Sequence, residues 1–179
     1  LFAEGCPVPG QSRARVIGVD AQLDGTAALG GRDDFLLMNE EAAFVIQAAR
    51  RADDPQNEAL GWWYYGGQPI DAVALDGCTQ AHDEMFDEMG IILGTANVSQ
   101  LDQSVLRGFR ADRVEVVSDG ADGTDAVVRA TGVDDRFWLI EQELIRRAFL
   151  AGRPTGLSAP LGVAVVVDYT LPASGNVLR

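Results

Sequence analysis

Phe35-Leu-Leu-Met-Asn-Glu-Glu-Ala-Ala-Phe-Val-Ile-Gln47 carries two apolar runs on either side of a polar corner, Asn39-Glu40-Glu41. Short apolar runs that flank a tight polar turn pair as a β-hairpin. Upstream, residues 13–19 predict a short strand, and residues 24–31 a Gly-rich loop. Residues 1–10 contain Pro7, Pro9 and Gly10 and predict an extended leader, taken as residues 1–12, with little structure of its own.

Downstream, residues 48–59 contain Asp53-Asp54-Pro55 and predict a surface loop, with a helical turn over 48–51 as the alternative. Trp62-Trp63-Tyr64-Tyr65 runs into Gly66-Gly67, and residues 70–75 resume strand composition. A second hairpin is expected from residues 114–117 and 126–130, joined by the Gly-Asp turn 118–125. Residues 163–169 predict another strand, and Pro172-Ala-Ser-Gly-Asn176 a turn that Val177 and Leu178 leave as a returning strand. Two helices are expected. Met85, Phe86 and Met89 recur at helical spacing over 81–89, and Phe137, Ile140, Leu144 and Phe149 do so over 134–152, with Gly152 and Pro154 as stop signals.

Strands at short intervals with Gly-rich turns point to a mainly β protein, an antiparallel β-sandwich with one or two short helices. It reads as one domain over residues 13–179, an incomplete piece that continues beyond 179. An open sheet edge would then pair with the remainder of the polypeptide or with another chain.

With 179 residues, 47% of them hydrophobic, the chain is long enough to bury a sizeable core. A formal net charge of −13 repels phosphate backbones and argues against nucleic acid as a partner. All 14 basic residues are arginine, so Schiff-base chemistry and a phosphate-loop lysine are both excluded. His82 is the single histidine, which rules out a site built from several imidazoles within this chain. No apolar run is long enough to span a bilayer, so a membrane association would need a lipid anchor.

Cys6 and Cys78 are the only thiols, at a spacing foreign to metal knuckles and redox pairs. Three readings stay open: a disulfide, a lipid on Cys6 after Ala3-Glu4-Gly5, or two unrelated thiols. A disulfide closing so long a loop would stabilise the fold by about 4 kcal/mol in an oxidising compartment. The first two readings place the protein outside the cytoplasm.

Three patterns could carry chemistry. Asp119, Asp122 and Asp125 lie three apart on a Gly-rich turn and could converge on calcium, although tight turns recruit the same residues for their backbone preferences. Trp62, Trp63, Tyr64 and Tyr65 offer flat amphipathic rings that suit a polysaccharide surface as well as a sheet interior. His82, amid Asp83, Glu84, Asp87 and Glu88, could form a proton-transfer pair, or it could sit on a solvated acidic helix end. None of these matches a catalytic motif, and no catalytic residue or cofactor is assigned.

A resemblance is carried by Asp34-Phe-Leu-Leu-Met-Asn39 with Ala43-Phe-Val-Ile-Gln47, Gly66-Gly67-Gln-Pro-Ile-Asp71, Val116-Val-Ser-Asp-Gly-Ala-Asp-Gly123 with Val127-Val-Arg-Ala130, and Asp168-Tyr-Thr-Leu-Pro172. The series resembles the opening region of large secreted or lipid-anchored surface proteins of delta-proteobacterial type, with the β-supersandwich of mutarotase-like carbohydrate-binding domains. It implies a supersandwich architecture and a cell-surface setting rather than a reaction. The expected function is a non-catalytic exported structural or interaction module with affinity for polysaccharide. The alternative is a carbohydrate-active lyase or epimerase, in which the aromatic run stacks sugar and His82 moves protons.

Overall fold

The computed structural model describes residues 6–18, 23, 29–49, 66–80, 89–95, 105–136 and 162–179. These residues form nine strands: β1 (Arg13–Val16), β2 (Phe35–Met38), β3 (Ala42–Ile46), β4 (Pro69–Asp76), β5 (Thr79–Gln80), β6 (Ile92–Thr95), β7 (Val105–Ser118), β8 (Ala126–Arg136) and β9 (Ala164–Leu171). They make two antiparallel sheets, one of five strands in the order β1-β2-β3-β4-β5 and one of four in the order β6-β7-β8-β9.

The expected hairpin is β2–β3, with Phe35 opposite Ile46 and Met38 opposite Ala43. Its corner is closed by Asn39, whose Oδ1 accepts the backbone N–H groups of Glu41 and Ala42. A side chain that mimics a turn carbonyl in this way is the reason asparagine suits the position. The next hairpin, β4–β5, turns through Gly77 and Cys78 with φ of 53° and 63°. Two consecutive positive-φ residues are the signature of the primed turn that matches strand twist, and glycine meets that demand without steric cost.

Strands β2 and β3 are buried on both faces, because successive side chains alternate between them. One face packs Leu36, Met38, Ala43 and Val45 with Ile70, Val73 and Leu75, joined by Ile17, Leu23 and Leu29 from the β1–β2 connection. The other places Phe35, Leu37 and Ile46 in one cluster with Phe109, Ala111, Val128, Ala130, Tyr169 and Leu171 of the four-stranded sheet. The two sheets therefore share a hydrophobic core.

No helix occurs among the described residues, which corrects the expectation of one or two. The helix expected over 134–152 is overturned at its start, since Asp134, Asp135 and Arg136 are the last residues of β8, opposite Phe109, Gly108 and Arg107. Backbone pairing outweighs the apolar spacing there: the Asp134 N–H donates to the carbonyl of Val163. Residues 137–152 lie outside the described residues, as do 81–88. Met89, at the end of the other expected helix, instead donates its N–H to the carbonyl of Pro69.

Candidate functional site

Gly66-Gly67-Gln68 enters β4 where the two sheets meet. The Gln68 side chain is fully buried; its Nε2 donates to the Phe109 carbonyl on β7 at 3.0 Å, and its Oε1 accepts the N–H of Ile91 at 3.1 Å. Gly67 has φ of 70°, and a Cβ there would lie 2.6 Å from the Cβ of Ala111 and 2.9 Å from that of Ala130. Glycine is needed twice over, for its conformation and for the close approach of the sheets. The Tyr169 hydroxyl donates to the Gly67 carbonyl at 2.7 Å. Burial pushes the Tyr169 phenol well above its usual value.

A second tie joins the β2–β3 corner to the chain's last described segment. Asn39 Nδ2 donates to the carbonyls of Pro172 and Gly175, while Glu41 Oε1 accepts the N–H of Gly175. Thr170 and Arg179 exchange two backbone hydrogen bonds of 2.8 and 2.9 Å.

The segment before β1 is fixed at both ends. Cys6 is disulfide-bonded to Cys78, with Cα atoms 5.9 Å apart, and there is no free cysteine. With its sulfur bonded to another sulfur, Cys6 has no thiol left to carry a lipid. At the other end, buried Ser12 accepts the N–H of Ala126 through its hydroxyl oxygen, Ala14 donates to the Asp119 carbonyl, and Arg13 donates to the Gly120 carbonyl. Residues 6–14 thus strap the tip of β4–β5 in one sheet to the β7–β8 turn in the other.

In that turn the aspartates face their own loop. Asp119 Oδ1 accepts the N–H of Ala121, and Asp122 Oδ1 accepts both the N–H and the hydroxyl of Thr124. Hydrogen bonds from Thr124 hold the Asp122 carboxyl below its usual range. Asp125 contributes its backbone carbonyl, which accepts the Ser118 hydroxyl. Among the described residues no group of three or more His, Cys, Asp or Glu side chains is placed to hold a metal ion, so Asp119, Asp122 and Asp125 are not gathered for one. Beside them, Val116, Val117, Ser118, Asp119 and Asp122 line a shallow, open depression of about 440 Å³.

Charged side chains also organise the four-stranded sheet. Arg107 and Asp134 form a fully buried ion pair at 2.9 Å, and Asp134 Oδ1 accepts the N–H of Val163 as well. On the opposite face Glu115, Arg129 and Asp168 stand in one cross-strand row. Arg129 grips Asp168 with two hydrogen bonds of 2.7 Å, which lowers the carboxyl below and raises the guanidinium above its usual value.

Of the residues singled out in the sequence, the structure brings Cys6 and Cys78 together. Trp62, Trp63, Tyr64, Tyr65 and His82 lie outside the described residues. Asn39, Gln68, Tyr169 and the Arg107–Asp134 pair emerge only in the folded chain, because each acts on partners distant in sequence. The chain matches no protein-family model, and neither a curated protein nor a solved structure is significantly similar to it.

Proposed function

We propose that the two sheets close as an antiparallel β-sandwich serving as a non-catalytic, exported structural or interaction module of a cell-surface or extracellular assembly. The observation that carries this reading is the Cys6–Cys78 disulfide, which hints at an oxidising environment. The strap it anchors supports a structural role, since buried side chains such as Ser12, Asn39 and Gln68 direct their hydrogen bonds to the backbone of distant segments. The resemblance to carbohydrate-binding supersandwich proteins adds polysaccharide as the ligand class, and the sheet edges add protein strands as partners.

Fractionation of the native cells, followed by incubation of the purified protein with a glycan panel, tests the proposal. The expected result is recovery outside the cytoplasm and retention on polysaccharide without turnover. Cytoplasmic recovery with reduced thiols, or cleavage of any glycan, would overturn it.

A further inference from the structure

We propose that Asp76–Gly77, in the β4–β5 turn, is a self-modification site, where the main chain isomerises through a cyclic imide to isoaspartate and loosens the anchor of the disulfide strap. The proposal goes beyond the exported-module reading and does not depend on it, because the reaction needs only water and the folded chain.

The Gly77 backbone nitrogen attacks Cγ of Asp76 and loses its proton, and a carboxyl oxygen leaves as water. Water then opens the imide. Breaking the new Cγ–N bond restores aspartate. Breaking the original peptide bond instead routes the main chain through Cβ and leaves the former backbone carbonyl as a free carboxylate, with no net change in mass. Ring closure needs an unengaged carboxyl, an unengaged N–H, a following residue without a side chain, and room for the peptide to rotate.

Three Asp–Gly steps lie among the described residues, and one of them meets those needs. Asp76 and Gly77 are exposed, and among the described residues nothing bonds the Asp76 carboxylate or the Gly77 N–H. A Cβ built on Gly77 would meet nothing within 4 Å. Rotating that peptide breaks the pairing of Asp76 with Thr79, in a strand of only 2 residues, so local opening is enough. The β7–β8 turn is locked by comparison. Thr124 holds Asp122 through two hydrogen bonds, and the Gly123 N–H donates to the Gly120 carbonyl at 3.1 Å. Asp119 accepts the Ala121 N–H on its side chain and the Ala14 N–H on its carbonyl. Gly120 donates to the Ser118 hydroxyl, and a Cβ on it would collide with the Ser12 carbonyl, so its peptide has no room to turn.

The strap thus protects the turn at one of its ends, while the turn at the other carries the reactive step. Isoaspartate lengthens the main chain by one atom just before Cys78, which is bonded to Cys6 and donates its N–H to the Glu40 carbonyl at 3.4 Å. A two-residue turn cannot absorb that atom and keep Asp76 opposite Thr79, so the pairing is lost and the disulfide-bearing turn loosens.

The test holds the oxidised full chain in warm neutral buffer, folded and in guanidinium, until the unfolded sample has reacted. Isoaspartate is then mapped by electron-transfer fragmentation of the peptides. In the folded chain the yield at position 76 should exceed that at 119 and at 122 by at least about tenfold, because at least two hydrogen bonds hold each of those steps. In guanidinium the three should react alike. Asp76→Glu should remove the product at 76, since closure would need a larger ring. Asp76→Asn should reach the same imide by losing ammonia. The isomerised chain, once separated, should give up its disulfide to a dithiol reductant faster than the unmodified chain. No isoaspartate at 76 in the folded chain, equal yields at the three sites, a larger yield at 119 or 122, or equal reduction rates would overturn the proposal.

Discussion

Tyr169 of β9 donates its hydroxyl proton to the carbonyl of Gly67 at 2.7 Å, tying the four-stranded sheet to the segment that enters β4. Both ends of the bond are buried. Tyr169→Phe leaves that carbonyl without its donor and should cost about 1–2 kcal/mol in urea unfolding. The pH dependence has a definite sign. Burial raises the phenol pKa in the folded state, so the bond's contribution is present below the ordinary tyrosine value and is lost as pH rises above it. The stability gap between wild type and Tyr169→Phe should narrow above about pH 10.

Gly67 has no room for a side chain between the two sheets. Gly67→Ala would push a methyl group against Ala111 and Ala130 in a backbone conformation unfavourable to L-residues. A loss of about 2–4 kcal/mol is expected from overpacking and strain together. Equal urea midpoints for the variant and the wild type would show that the sheets do not approach closely there.

The Arg129–Asp168 pair is exposed, so its effect should be small and should fade with added salt. Arg129 depresses the Asp168 pKa, so the stabilisation is present above the ordinary aspartate value and disappears as pH falls through the lower folded value. Asp168→Asn should melt below wild type at neutral pH, and the two curves should converge in acid, below about pH 3.9.

Hydrogen bonds within the β7–β8 turn already engage Asp119 and Asp122. Melting with calcium and with a chelator should therefore give the same temperature. Asp122→Ala should lower it slightly in both, since it removes two local hydrogen bonds rather than an ion site. A calcium-dependent rise would instead support the cation reading of Asp119, Asp122 and Asp125.

Much of the strand pattern was legible where apolar runs meet a turn with local chemistry. The sequence reading of residues 35–47 anticipates β2–β3, and residues 163–169 anticipate most of β9. Strand β7 was legible only at its end. Its first half alternates Arg107, Gly108, Phe109, Arg110 and Ala111, and the burial of Arg107 depends on Asp134 across the ladder. Asp134 itself looked like a helix start, because local spacing carries no information about Val163, its partner on the other side. The site behaves the same way. Two cysteines allow only one intramolecular pairing, so Cys6–Cys78 could be named in advance. Asn39 could be placed in a turn, but nothing local signals that its amide holds Pro172 and Gly175.

The intact mass of the native protein under non-reducing conditions, with a peptide map, tests the exported-module account most directly. The account predicts a chain lighter than its reduced form by the two thiol hydrogens, with Cys6 and Cys78 in one linked peptide. Two free thiols would contradict it.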